Sequence, residues 1–328
     1  MALFDLSLDE LRAYRPATAE PADFDAFWDE TLAEARALAG PPSLTPVDAG
    51  LRTVETFDVT FSGFGGHPIK GWLNRPIQVA EPLPVVVDFI GYGGGRGHPH
   101  DWLLWSAAGY AHLVMDTRGQ GGTWRGGDTP DPGPDGTGPT TPGFLTRGVL
   151  DPRTYYYRRL ITDAVRAAET AAALPFVDPA RVLVAGGSQG GALTLAAAGL
   201  LRDGVAGAIA GVPFLCDIRR AVTITDADPY AEFARWAKSN PGRAATALST
   251  MDYIDGVNFA RRITAPTLVS TALMDWICPP STVFAAYNAL GCTKRIEVFE
   301  WDGHEGGRGQ FDALALEFAA GVLRPVAP

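Results

Sequence analysis

The apolar positions of the chain run through three rhythms. Ser7 and Glu10 fit a capping box ahead of a short helix that Pro16 stops. Between Asp23 and Leu38, the residues Phe24, Phe27, Trp28, Leu32, Ala35 and Leu38 recur at helical spacing and predict one buried helix face. Phe57, Val59 and Phe61 then alternate, as on a half-buried strand. Gly63 to Pro68 turns the chain into a second strand, Ile69 to Asn74, so an antiparallel hairpin is expected to open a sheet. From Pro84 the rhythm changes again. Val85-Val86-Val87-Asp88-Phe89-Ile90 is a dense run suited to a strand buried on both faces. Further strands are predicted at His112–Asp116, Arg181–Gly186, Val205–Ala210, Pro266–Ala272 and Arg295–Phe299. Helical stretches separate most of them, at Asp101–Ala108, Tyr155–Ala173, Gln189–Leu201, Ser281–Leu290 and Gln310–Val322. That alternation implies an α/β fold with a mainly parallel sheet covered on both faces.

Two segments break the alternation. Gly119 to Gly143 is rich in Gly and Pro and reads as a long irregular loop. Pro213 to Asp255 holds helical pieces and no strand, and is expected to form a helical insertion (about 213–255) over the carboxyl edge of the sheet. With no internal repeat, the 328 residues read as a single domain, with an N-terminal helical extension over about residues 1–40.

Composition narrows the class. At 46% hydrophobic and 20% charged, the chain can bury a large core, which excludes disorder. A net charge of -10 argues against a nucleic-acid partner and against adhesion to an anionic membrane. No export signal is read at the N-terminus, where Asp5, Asp9 and Glu10 interrupt any apolar stretch. No apolar run reaches the roughly 18 residues of a membrane span. The 3 cysteines, Cys216, Cys278 and Cys292, are too few for a disulfide framework, and reduced thiols in the cytoplasm are the expectation.

One motif carries chemistry. Gly186-Gly187-Ser188-Gln189-Gly190 matches G-x-S-x-G, with a predicted strand before it and a predicted helix after it. In such an elbow a strained turn lifts the serine hydroxyl clear of the sheet, and side chains at the flanking positions would strike the neighbouring strand and helix. Among five histidines, His304 follows the last strand and precedes the last helix, the place for the base of an α/β-hydrolase fold. His112 lies inside a strand, His67 in the hairpin turn, and His98 and His100 in a loop near the presumed site. Asp275, one short turn past the strand ending at Ala272, is the favoured orienting acid; Asp302 is its rival, and Asp252 and Asp255 lie in the insertion. The order Ser188, Asp275, His304 is that of the same fold. One oxyanion N–H is expected from Gln189 and another from the loop Gly91-Tyr92-Gly93-Gly94-Gly95.

Rival motifs fail on inspection. Gly91 to Gly97 does not complete a dinucleotide fingerprint, no Gly-Lys-Ser/Thr exists, and Arg308 stands where a zinc protease needs its second histidine. Cys278 reads as a small packed thiol.

The chain resembles the acetyl xylan esterase and cephalosporin-C deacetylase family, the seventh family of carbohydrate esterases. The resemblance rests on Arg118-Gly119-Gln120, on the serine motif and on His304-Glu305. Gly91 to Gly97, Tyr155 to Arg159 and Cys278 to Phe284 match as well, so the likeness covers essentially the whole chain. It implies an α/β-hydrolase fold and a cytoplasmic serine esterase that deacetylates small acetylated carbohydrates and cephalosporin C without a metal or organic cofactor. It also implies a ring-shaped homohexamer with active sites facing an internal cavity. It assigns the oxyanion N–H groups to Tyr92 and Gln189, and an acyl-binding pocket to Tyr92, Pro229 and Ile277 beside Gln189. Arg118 and Gln120 are expected to hold loops beside the site. Trp276 and His98 depart from the family's pattern, which has a smaller or polar residue and an apolar one there. A peptidase or thioesterase on the same fold, and a fold kept only for binding, are the alternative readings.

Overall fold

The computed structural model describes residues 3–77, 79–80, 82–132 and 141–324. The part of the Gly119–Gly143 loop at 133–140, and residues 1–2 of the N-terminal extension, lie outside the described residues.

Among the described residues, nine strands form one sheet: β1 (Ser43–Val47), β2 (Val54–Ser62), β3 (Pro68–Pro76), β4 (Leu83–Phe89), β5 (Ala111–Met115), β6 (Val177–Gly187), β7 (Gly207–Gly211), β8 (Thr267–Ala272) and β9 (Lys294–Phe299). Their order is β1-β2-β3-β5-β4-β6-β7-β8-β9. The first three are antiparallel and β5 through β9 are parallel, with β3 joined antiparallel to β5. The hairpin of β2 and β3 is the expected one. The structure adds β1 outside it, where Ser-Leu-Thr-Pro-Val offers little strand signal; at the edge of the sheet Pro46 sacrifices little of the ladder.

Among the described residues, eleven α-helices accompany the sheet. They are α1 (Leu8–Ala13), α2 (Phe24–Ala37), α3 (Leu104–Ala107), α4 (Tyr156–Ala172), α5 (Gln189–Leu201), α6 (Ile218–Ile224), α7 (Tyr230–Ser239), α8 (Ala244–Met251), α9 (Gly256–Ala260), α10 (Pro280–Ala289) and α11 (Arg308–Val322). Ser7 and Glu10 do cap α1: the Ser7 N–H donates to Glu10 Oε2 at 2.8 Å. On α2 the predicted face is buried except for Leu38, which follows the last helical residue and is 60% exposed.

The alternation along β4 shows how the two faces are filled. Val85, Val87 and Phe89 enter the larger core, with Tyr157, Leu160, Ala164 and Leu193 from α4 and α5. Val86 points the other way, into a smaller core with Trp105, Ala185, Ile209, Ala315 and Ala319. That second face is thinly covered because α3 has only 4 residues, where the sequence predicted a helix from Asp101 to Ala108. The reason is local. The Asn74 amide takes the carbonyls of Pro99 and Trp102, each at 2.9 Å, drawing both out of a helical ladder. Residues Pro99–Asp101 form a separate 3-10 turn instead. Between β7 and β8 the chain runs through α6, α7, α8 and α9 with no strand among them.

Candidate active site

The end of β6 leads into Ser188, whose φ of 58° and ψ of -118° lie outside the regions favoured for L-residues. Two glycines make this turn possible. A Cβ on Gly190 would fall 2.0 Å from the Phe89 carbonyl oxygen, and one on Gly186 would fall 2.6 Å from the backbone of Gly190. The Ser188 N–H donates to Gly211 O at 2.9 Å, which ties the elbow to the end of β7. The strained residue is thereby held from β7, with the start of α5 close against the end of β4.

Ser188 Oγ stands 2.9 Å from His304 Nε2, and His304 Nδ1 stands 2.8 Å from Asp275 Oδ2. Asp275 is fully buried, while the His304 side chain is 25% exposed. The other carboxylate oxygen of Asp275 accepts the N–H groups of Ile277 at 2.9 Å and Cys278 at 3.0 Å. This carboxylate is fixed on both oxygens, so it presents one defined lone pair to the imidazole and sets its tautomer. Asp302, the rival acid, holds the histidine loop in place: its carbonyl accepts Met274 N and its Oδ2 accepts Gly307 N at 2.8 Å.

The glycine loop after β4 lies against the elbow through side-chain amides. Gln120 Oε1 accepts the Gly93 N–H at 2.6 Å, and its Nε2 donates to Gln189 Oε1 and to the Tyr156 hydroxyl, each at 2.9 Å. Gln189 Nε2 reaches back to Ile90 O at 3.1 Å. Arg118, fully buried, forks onto Asp163 at 2.5 and 2.7 Å and reaches Asp131 at 3.3 Å. The Arg118-Gly119-Gln120 motif therefore clamps the loop that carries Tyr92 to the helix that begins at Gln189.

Tyr92 is anchored by a residue that sequence reasoning missed. Its hydroxyl donates to Glu232 Oε1 at 2.5 Å and accepts the N–H groups of Phe144 at 2.9 Å and Gly143 at 3.1 Å. Glu232, on α7, is buried and also accepts Leu145 N at 3.1 Å. Burial pushes its carboxyl up, while the Tyr92 hydroxyl and the Leu145 N–H act against that. The Tyr92 ring meets Phe144 and Phe214, with centroids 5.4 and 6.2 Å away. Phe214 in turn contacts Tyr230, the residue after Pro229. Ile277 neighbours the acid through its N–H bond to Asp275.

The two departures from the family pattern are both exposed. Trp276 is 50% exposed and its carbonyl accepts the Thr225 hydroxyl. His98 is exposed and stacks on His100 with centroids 5.3 Å apart. His67 is half-buried beside Arg118, and His112 is buried in β5; neither approaches Ser188.

Asp275, Cys278 and His304 present possible metal-ligand atoms within 4.8 Å of one another. The carboxylate and imidazole are committed to each other, and burial pushes the Cys278 thiol well up, which keeps it a thiol within reach of Ser188 rather than a thiolate ligand. A cleft of about 510 Å³ opens beside the serine; Ser188, His304, Glu305 and Gly91 line it, whereas Tyr92, Gln189, Pro229 and Ile277 do not. The arrangement supplies an alcohol nucleophile, a base and an oriented acid, the parts needed for acyl transfer.

Comparison with known proteins places these residues in context. A family model for acetyl xylan esterase (AXE1) matches residues 1–321. The acetyl esterase Axe7A of Xylanibacter ruminicola is 32% identical over 291 residues, 85% of this chain; the chain spans 62% of that protein's length. An acetyl xylan esterase from Paenibacillus sp. R4 superposes with a TM-score of 0.88 at 37% identity, over 97% of this chain and 100% of that one. Acetyl xylan esterase 1 from Thermoanaerobacterium sp. JW/SL YS485 superposes equally, with a TM-score of 0.88 at 33% identity, over 98% and 100%.

Proposed function

The chain belongs to the acetyl xylan esterase family, and from that premise we propose that it is a serine esterase. Its substrates are acetyl esters of small carbohydrates, namely xylo-oligosaccharides and sugar acetates, and cephalosporin C. The observation that carries the reading is the chain of contacts from Ser188 through His304 to buried Asp275, at 2.9 and 2.8 Å.

In this reading His304 Nε2 takes the proton of Ser188 as Oγ attacks the ester carbonyl. Asp275 holds the Nδ1–H and stabilises the imidazolium. The N–H groups of Tyr92 and Gln189 receive the oxyanion, on a loop and a helix start that Gln120 ties together. The imidazolium then gives its proton to the departing alcohol. Water, activated by the same imidazole, hydrolyses the acetyl-enzyme. These steps need no metal or organic cofactor. The acetyl methyl sits by Tyr92, Pro229 and Ile277; the Tyr92–Phe214–Tyr230 ring contacts and the Ile277 N–H bond to Asp275 support this reading.

The single-domain organisation, with its extension over about 1–40 and insertion over about 213–255, belongs to the same proposal, as do a cytoplasmic location and a homohexamer. The sequence resemblance supports the hexamer and the location; free Cys216, Cys278 and Cys292 fit a reducing compartment. Among the described residues no helix is long and apolar enough to cross a membrane. Light scattering checks the assembly, and a monomer would remove it.

The decisive assay is release of 4-nitrophenol from its acetate, with a burst equal to the enzyme present, together with acetate release from acetylated xylo-oligosaccharides and cephalosporin C. Failure on every acetyl ester, or equal rates from Ser188→Ala, would overturn the esterase reading.

A further inference from the structure

The cleft beside Ser188 has a sidedness. Ser188, His304 and Glu305 line it, together with Gly91 and Trp124, so it opens onto the imidazole as well as the serine. The imidazolium must protonate the departing alcohol, so this is the leaving-group side. The space exists because α3 is short and leaves the sheet face toward α11 thinly covered.

Its walls have a consistent chemistry. Trp124 is 54% exposed, yet it is held firmly: its Nε1–H donates to Tyr92 O at 2.9 Å, and a Cβ on Gly94 would meet its ring at 2.3 Å. One side of the indole is seated on the glycine loop, the Arg125 guanidinium lies 5.1 Å from its ring centroid, and the residue lines the cleft. At the far side stand two carboxylates, Asp88 on β4 and Asp312 on α11. Neither has an Arg or Lys partner among the described residues. Burial and the charge of Asp88 push the Asp312 carboxyl up, in keeping with their closeness. His112 lies beneath them, 1% exposed; its Nδ1 is bonded to Trp102 O at 3.2 Å, while its Nε2 makes no hydrogen bond and stands 3.4 Å from Asp88 Oδ2. Among the described residues, the one Arg or Lys lining the cleft is Arg125, which lies 3.5 Å from Asp101, 4.4 Å from the Trp102 ring and 5.1 Å from the Trp124 ring.

We infer that this cleft is a leaving-group subsite for a neutral, hydroxyl-rich ring, a pyranose, stacked on Trp124 with its hydroxyls donated to Asp88 and Asp312. An aromatic face carries partial negative charge and takes up the C–H face of a sugar ring. Carboxylates accept hydroxyl hydrogens in short charge-assisted bonds, and the few polar groups of such a cleft fix the orientation of what it binds. The same charges repel an anionic alcohol, so of the substrate classes proposed above the subsite favours neutral sugar acetates over cephalosporin C, which carries carboxylates.

The inference rests on the esterase reading for its catalytic consequence, and a binding measurement separates the two. Xylobiose is titrated into the Ser188→Ala protein, followed by tryptophan fluorescence, with and without Asp312→Asn. Binding is expected to weaken about tenfold with Asp312→Asn, the loss of one charge-assisted bond. In the protein with Ser188 intact, Asp312→Asn is expected to lower kcat/KM for an acetylated methyl xyloside about tenfold relative to 4-nitrophenyl acetate, chiefly through KM. The relative rate on cephalosporin C is expected to rise. Asp88→Asn is the second variant, should Asp312→Asn disturb α11. Xylobiose affinity unchanged within about twofold in both variants would overturn the subsite, whether or not the protein hydrolyses esters. Loss of xylobiose binding with no hydrolysis of any acetyl ester would keep the subsite and remove the esterase reading.

Discussion

Replacing Tyr92 by Phe removes one oxygen and disconnects three groups. The hydroxyl donates to buried Glu232 at 2.5 Å and accepts two backbone N–H groups, from Phe144 at 2.9 Å and Gly143 at 3.1 Å. A hydrogen bond to a buried charge contributes about 1.5–3 kcal/mol and each stranded N–H costs about 1 kcal/mol, so the expected loss is roughly 3–5 kcal/mol. In a chain of this size that corresponds to a fall in Tm of roughly 4–7 °C.

The pH dependence gives a second handle. Burial raises the folded-state pKa of Glu232, and the Tyr92 hydroxyl opposes the rise by bonding the charged form. Without the hydroxyl the folded-state pKa climbs further. A group with a raised folded pKa contributes stability that is present below its unfolded pKa and lost as pH rises through the folded value. The deficit of Tyr92→Phe should therefore be largest at neutral to alkaline pH and should shrink on acidification toward pH 5. The Tyr92 N–H remains in the variant but is less firmly placed, so kcat should fall more than KM changes. Thermal unfolding at pH 8 and pH 5 checks both parts. A Tm within about 1 °C of wild type at pH 8, or a deficit that widens on acidification, would refute the reasoning.

Other variants test the site from different directions. Ser188→Ala should lower kcat about 10⁶-fold with the fold intact by circular dichroism, and Asp275→Asn about 10⁴-fold through the wrong tautomer; a tenth of wild-type activity in either would contradict the roles given to them. Iodoacetamide should leave activity largely intact, since Cys216 and Cys278 are buried and the nucleophile is an alcohol; complete loss prevented by substrate would point to Cys278. Across an acyl series, kcat/KM should fall from acetyl to propionyl to butyryl, each methylene changing it by about 1–3 kcal/mol. Ile277→Ser should relax that order, whereas a wild-type optimum at a long acyl chain would remove the small pocket.

Much of this was legible in the chain because the physical signals are local. The run Val85–Phe89 is apolar on both faces and becomes a strand buried at the centre of the sheet. The glycines around Ser188 announce a turn that tolerates no Cβ at 186 or 190. His304 and Asp275 could be picked out because topology places the residues just beyond β8 and β9 at one edge of the sheet. Other features left no local trace. The Tyr92–Glu232 bond joins residues 140 positions apart, and Glu232 sits in a helix whose pattern resembles any half-exposed one. The failure of the helix at Asp101–Trp102 depends on the Asn74 amide, a side chain from β3 that competes for its carbonyls. Asp88 in a buried strand looks like an interruption until the shortness of α3 exposes it to the cleft.

The distances in the triad are set by backbone register more than by the side chains themselves. β8 and β9 pair through Ala272 and Phe299, and Leu273 N continues the ladder to Phe299 O at 3.0 Å. Met274 N then bonds Asp302 O at 3.1 Å, so the loops bearing Asp275 and His304 are linked strand to strand up to the residues proposed to react. Ser188 is fixed to the same frame through Gly211 and β7. Sequence can therefore vary widely outside these few backbone bonds while the serine, imidazole and carboxylate stay in line. In the proposed reading, choice of substrate falls to what stands around that frame: Pro229, Tyr230 and Glu232, from the segment between β7 and β8, on the proposed acyl side, and Trp124 and α11 on the proposed alcohol side. The two sides share one structural element, the glycine loop, gripped through the Tyr92 hydroxyl by Glu232 and through the Tyr92 carbonyl by Trp124. A change on either side is thus transmitted to the loop proposed to receive the oxyanion, and selectivity and rate are coupled through a single residue.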